Sequence, residues 1–268
     1  MAWNFGDILD TIIPVLPEGH LALVHGDREI TWAEMGRRSN NLGRFMLENG
    51  ATIGDKVGFY MRNRPEYMET LAACFRARLT HVNVNYRYVA DEVHYIFDNS
   101  DAAVVVYGNE FRDNVKILRP RLPNVKLWIE VGDGANLPAE TYDYEKLATN
   151  GKGENLDVAR EGGDLLFLYT GGTTGMPKGV MWEHDALRET QTMALRALGD
   201  VPETLDELEA HLQTNGPGEV YIPACPLMHG TGLFTAMAAM MNGGTIVTLG
   251  AASLDAHELW RTVERRGV

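Results

Sequence analysis

Ten residues, Thr170 to Gly179, read T-G-G-T-T-G-M-P-K-G, and their types suit one task. Gly171, Gly172 and Gly175 let successive backbone N–H groups turn toward one point, forming a concave anion nest. The hydroxyls of Thr170, Thr173 and Thr174 add donors, and Lys178 adds a mobile point charge that can follow a phosphate. A polyphosphate is the natural guest. Two familiar phosphate loops do not fit. A P-loop needs G-x-x-x-x-G-K-[ST], whereas Lys178 follows Pro177 and precedes Gly179. A dinucleotide turn needs G-x-G-x-x-G, which G-G-T-T-G does not supply. A plain Gly/Thr surface loop leaves the order of residues and the downstream P-K-G unexplained.

A second constellation is Pro226 to Gly232, P-L-M-H-G-T-G, which sets one histidine between an apolar strand and a helix expected over Leu233 to Met241. A lone histidine is usually structural, hydrogen-bonded in a polar corner. The glycines beside His229 point the other way, because they permit close approach of backbone to a ligand. The remaining histidines form no metal cluster, and His184 and His211 are expected near acidic residues on surface helices.

The elements that must position these groups alternate along the chain. Leu21 to Val24 reads as a strand, and Thr31 with Glu34 forms a T-x-x-E helix start ahead of Met35, Leu42 and Phe45-Met46 at helical spacing. Val57 to Met61 is a strand, and Pro65 opens a helix at its first position that buries Tyr67, Leu71 and Phe75. His81 to Val84 is the next strand. Asp91 is expected to cap a helix, followed by strand Ala102 to Tyr107, helix Phe111 to Leu118 and strand Lys126 to Val131. Gly132 to Arg160 reads as surface. Leu165 to Tyr169, apolar throughout, suits a strand buried on both faces. Asp185 to Leu198 is a helix, and Asp200 to Gly218 reads as an acidic surface insertion with Leu205, Leu208 and Leu212 on one face. Strands Glu219 to Pro223 and Thr245 to Leu249 follow. Asp255 caps a last helix with Trp260 and Val263 expected inward. Strands separated by helices predict an α/β fold with parallel, layered sheets and helices on both faces.

Composition bounds the function. In 268 residues, 24 Lys+Arg face 37 Asp+Glu, a net charge of −13, which argues against nucleic acid as a partner because phosphate backbones demand clustered cations. An anionic substrate must therefore be met by a local positive site such as Lys178. Cys74 and Cys225 lack metal-ligand spacing and suggest buried thiols in a reducing, cytoplasmic setting. Asp7, Asp10 and Glu18 are foreign to a secretory signal. Val220 to Leu254 contains no charged residue, but its prolines and glycines break it into pieces too short for a transmembrane segment.

Tyr169 through Val180 resembles the phosphate-binding signature of the adenylate-forming enzymes: acyl- and aryl-CoA synthetases, luciferases and peptide-synthetase adenylation domains. The usual form has Ser-Gly after the first Thr, so Gly171-Gly172 loses one hydroxyl and keeps the nest. Pro226 to Gly232 is similar to the family's P-L-x-H-x-x-G motif. Ile30-Thr31-Trp32 with Asn40, Gly50 to Val57, Asn63-Arg64-Pro65-Glu66 and Tyr95-Ile96 resemble its N-terminal landmarks, while Arg78-Leu79 stands where Gly-Ala is common.

This resemblance implies two α/β subdomains packed face to face, expected over residues 1–75 plus 223–268 and over 76–222. It implies that His229 and Thr231, with Gly232, lie beside the acid substrate and its adenylate, and that Lys178 and His229 serve catalysis. The implied reaction is attack of a carboxylate on ATP to give acyl-AMP, then transfer to a thiol such as CoA, with magnesium as cofactor. The family's aromatic-Gly-x-Thr-Glu segment, ribose-binding Asp and C-terminal catalytic-lysine domain are not found before Val268, so the chain is expected to be an N-terminal portion. Leu233, Phe234 and Met237, with no acidic residue near His229, favour an acyl or aryl acid over an amino acid. A non-catalytic nucleotide- or phosphate-binding module is the alternative.

Overall fold

Leu127 to Val131 and Ala102 to Gly108 are Val/Ile-rich runs with no polar alternation, the pattern of strands covered on both faces. In the computed structural model, which describes residues 3–171, 175–196, 199, 201–251 and 253–268, they are central strands of a seven-stranded sheet. The elements in chain order are α1 (Phe5–Ile12), β1 (Leu21–His25), β2 (Arg28–Thr31), α2 (Trp32–Glu48), β3 (Lys56–Tyr60), α3 (Pro65–Ala77), β4 (Thr80–Asn83), α4 (Ala90–Asn99), β5 (Ala102–Gly108), α5 (Arg112–Leu118), β6 (Leu127–Val131), β7 (Thr141–Asp143), α6 (Tyr144–Thr149), β8 (Leu165–Thr170), β9 (Lys178–Glu183), α7 (His184–Arg196), α8 (Leu205–Asn215), β10 (Val220–Tyr221), α9 (Gly230–Met240), β11 (Thr245–Thr248) and α10 (Ala256–Arg266), with short 3-10 turns between.

The large sheet runs β7-β6-β5-β3-β4-β8-β9, parallel except for β9, which folds back antiparallel on β8. A smaller sheet runs β10-β11-β1-β2. Along β5, Val104 and Val106 join the core shared with α2 and α3, while Val105 and Tyr107 join the cluster under α4 and α5. Both faces are therefore filled. Helix α3 is buried at all thirteen positions, so its charges need partners inside. Glu69 receives Arg38 at 2.7 Å, and Arg76 meets Asp10 at 3.0 Å and the Gly36 carbonyl at 2.9 Å.

The two sheets agree with a mixed α/β fold in layers. Their membership does not divide at residue 75, however. β3 pairs within the large sheet, and β10, at 220–221, pairs within the small one. Thr31 caps α2 as expected, its Oγ1 accepting the Glu34 N–H at 3.1 Å. α4 starts before Asp91, with the Glu92 carboxylate accepting the Val89 N–H at 3.0 Å.

Four expectations are corrected by packing. His184 is 1% exposed, its ring 4.8 and 4.9 Å from those of Phe5 and Phe75, because the first turn of α7 is pressed against α1 and α3. Helix α8 buries Leu208 and Leu212 in the main core and packs on α1, so this helix is part of the core packing and not a surface segment. The segment 132–160 contains β7 and α6, whose Tyr144 is buried with its hydroxyl on Glu69 at 2.9 Å. Trp260 is 68% exposed. Helix α10 is held instead by Arg265 and Arg266, which donate to the β1–β2 turn at Gly26. No described helix is long and apolar enough to cross a membrane.

Candidate active site

The Gly/Thr stretch expected to bind phosphate lies between the two strands of a hairpin. β8 and β9 pair from Leu165↔Glu183 to Thr170↔Lys178, so the cation expected to follow a phosphate stands directly across from the first hydroxyl of the loop. Thr170, Gly171, Gly175 and Lys178 are all exposed, and Gly175 takes φ +102°, a conformation that glycine adopts without strain. Gly172, Thr173 and Thr174 lie outside the described residues. Only Leu166, Leu168 and Tyr169 of β8 are fully buried, since β9 beside it is an edge strand. The hairpin closes tightly because Gly179 has no side chain. A Cβ there would sit 2.9 Å from the Tyr169 ring, whose hydroxyl donates to Asn99 Oδ1 at 2.8 Å.

His229 is the N-cap of α9, with its N–H on the Pro226 carbonyl at 3.0 Å. Its side chain is exposed, and its pKa is lowered by partial burial and, in the same direction, by the nearby Arg87 guanidinium. The ring is thus held toward its neutral form. Thr231 is exposed on the first turn of α9. Gly232 is buried and serves packing. A Cβ there would lie 2.4 Å from the Pro226 carbonyl oxygen and 2.7 Å from that of Cys225.

A cavity of about 350 Å³ joins the two constellations, with Thr170 and Gly171 on one side and His229 and Gly230 on another. Gly175, Lys178, Thr231 and Gly232 are not among the residues that line it. Asn83, Asn85 and Tyr88 complete its polar wall; sequence reasoning read Asn83 as part of a strand and did not single out Asn85 or Tyr88. An asparagine inside the apolar run His81 to Val84 was the available signal. A second cavity of about 240 Å³ opens between the ends of the two sheets, lined by Arg62, Arg64, Arg87 and Tyr86 among others. The Arg62 and Arg87 guanidinium groups lie 5.1 and 5.8 Å from the Tyr86 ring centroid.

Among the described residues, no group of three or more His, Cys, Asp or Glu side chains could hold a metal. Cys74 is buried and Cys225 half-buried; both thiols are free, with pKa values raised by burial.

With this geometry in place, the comparisons are specific. The model of the AMP-binding enzyme family matches residues 15–268, and the chain belongs to that family. It is 34% identical to the 3-oxocholest-4-en-26-oate–CoA ligase of Rhodococcus rhodochrous, over 98% of this chain and 48% of the relative. It is also 34% identical to a medium/long-chain-fatty-acid–CoA/3-oxocholest-4-en-26-oate–CoA ligase of Mycobacterium marinum, over 100% of this chain and 50% of that protein. The chain thus spans about half the length of these curated relatives. Among solved structures, a long-chain-fatty-acid CoA ligase of Rhodopseudomonas palustris superposes with a TM-score of 0.83 at 23% identity, covering all of this chain and 62% of that one. An anthranilate CoA ligase in complex with anthranoyl-AMP gives 0.81 at 21% identity, over 98% and 48%. These two likenesses are of fold.

Proposed function

We propose that this chain forms the ATP- and acid-facing half of an acyl-CoA ligase. The observation that carries the reading is the single cavity that sets Thr170 and Gly171 beside His229 and Gly230, in a chain whose curated relatives are named as CoA ligases. A carboxylate oxygen attacks the α-phosphorus of ATP, forming acyl-AMP and releasing pyrophosphate. The loop from Thr170 to Gly175, with Gly172, Thr173 and Thr174, cradles the β- and γ-phosphates, and Lys178 neutralises charge on the departing pyrophosphate. A neutral His229 suits the acid side, since an imidazolium would hold the carboxylate as an ion pair and blunt its attack. In the second half-reaction the CoA thiol attacks the acyl carbon and AMP leaves. The arginine-lined cavity beside Tyr86 suits the phosphates of CoA.

The acid we assign is one with a large apolar body, a medium- or long-chain fatty acid or a sterol side-chain acid. Leu168 and Ile96 line the cavity, and Phe234 on α9 meets Trp182 of β9 edge-on at 6.0 Å. The test is acid-dependent ATP–pyrophosphate exchange by a full-length enzyme that contains this chain. Exchange is expected with apolar acids and not with amino acids. Retained ATP binding without exchange for any acid would mean a non-catalytic nucleotide-binding module instead.

A further inference from the structure

We propose that Asn83, assisted by Asn63, is a positioning residue that holds the His229 segment in register with the phosphate strand. The inference rests on the adenylation reading above and adds to it a device for spacing the two substrates. Backbone pairing between β4 and β8 is recorded at His81↔Leu166 and Val82↔Phe167. One residue further on, the Asn83 side chain takes over. Its Oδ1 accepts the Tyr169 N–H at 2.6 Å, and its Nδ2 donates to the Tyr169 carbonyl at 3.0 Å, so one carboxamide stands in for a ladder partner. The same Nδ2 also donates to the Met228 carbonyl at 2.7 Å.

Tyr169 immediately precedes Thr170, and Met228 immediately precedes His229. One buried side chain, 3% exposed, therefore bonds both halves of the site at the residue before each functional group. Asn63, just past β3, grips the other side of the same segment. Its Oδ1 accepts the Leu227 N–H at 2.8 Å, and its Nδ2 donates to the Cys225 carbonyl at 3.4 Å. Both asparagines lie at the carboxyl ends of parallel strands, where open α/β sheets place their ligands. A buried asparagine that only filled a polar gap would need partners in one segment. Asn83 has them in two that are 59 residues apart in sequence, at Tyr169 and Met228.

Adenylation requires the acid oxygen and the α-phosphorus to meet in line, and a displacement of about 1 Å in such an arrangement costs about 10²-fold in rate. Asn83→Asp keeps the shape and the acceptor but turns two carbonyl oxygens toward a carboxylate. In the full-length enzyme, kcat for adenylation is expected to fall about 10²-fold, with KM for ATP little changed, because the loop itself is intact. Thioester formation from synthetic acyl-AMP is expected to fall far less. Protonation of the introduced carboxylate restores one O–H donor, so the variant's adenylation rate, relative to the native enzyme, should rise as pH falls. Asn63→Ala, at a half-buried position, should lower the same kcat by a smaller factor, and it decides the matter if the Asn83→Asp variant does not fold. Native adenylation rates in the variants, or equal losses in both half-reactions, would overturn the proposal while leaving the adenylation reading intact. No acid-dependent exchange in the native enzyme would overturn both.

Discussion

Replacing Lys178 with alanine in the full-length enzyme is expected to lower the rate of acyl-adenylate formation about 10²–10³-fold, or roughly 2.7–4 kcal/mol of transition-state stabilisation. The lysine opens β9 opposite Thr170 and is solvent-exposed, so removing it empties no core. The loss should fall on kcat more than on ATP affinity, because the charge that Lys178 meets grows as pyrophosphate departs. Lys178→Arg should restore only part of the rate, since a planar fork replaces the compact point charge of an ammonium poorly. Thioester formation from synthetic acyl-AMP involves no pyrophosphate and should be nearly unaffected. Equal losses in the two half-reactions would reduce Lys178 to a residue that holds the hairpin together.

Acid should unfold this chain through two buried histidines. His81 is fully buried, its Nδ1–H donating to the Phe167 carbonyl at 3.1 Å and its Nε2 accepting from the Tyr67 hydroxyl at 2.9 Å. Burial holds its pKa down to about 3. Burial holds that of His184, between Phe5 and Phe75, down to about 4. Above those values both stay neutral in the folded chain, while their unfolded counterparts take up protons below about pH 6.5. The unfolded state then binds more protons, so stability falls with falling pH, by about 1.4 kcal/mol per pH unit for each histidine. Between pH 6.5 and 4 that amounts to roughly 3 kcal/mol each, a large part of the 5–15 kcal/mol typical of a domain. Urea denaturation of the chain across this range should show the slope, and His184→Phe, which cannot titrate, should remove about one proton's share. An unchanged slope in that variant would contradict the assignment.

What the sequence revealed and what it withheld divide along physical lines. Local signals were legible. The Thr31 cap, Pro65 opening α3, the apolar run of β5 and the Gly/Thr/Lys loop each depend on neighbours a few residues away. Properties set by distant partners were not. His184 sits in a charged neighbourhood of sequence, yet its surroundings in space are Phe5 and Phe75, about 180 and 110 residues away along the chain. Trp260 follows an amphipathic spacing, and spacing marks an apolar stripe without saying what covers it. The antiparallel return of β9 was hidden because its residues 178–183 alternate poorly, a consequence of edge exposure on both faces. Asn83 shows the same limit at the site, since nothing near it in sequence discloses that its amide joins Tyr169 to Met228.

The central claim is that a carboxylate oxygen of the acid becomes bonded to the α-phosphorus of ATP. Incubating the full-length enzyme with ATP, CoA and an acid labelled with 18O in its carboxylate tests this directly. Attack at the α-phosphorus leaves the bridging oxygen on phosphorus when the thiol cleaves the acyl–oxygen bond, so mass spectrometry should find AMP carrying one 18O atom and unlabelled pyrophosphate. Label in inorganic phosphate, accompanied by ADP, would show attack at the γ-phosphorus and an acyl-phosphate route, and would contradict the account.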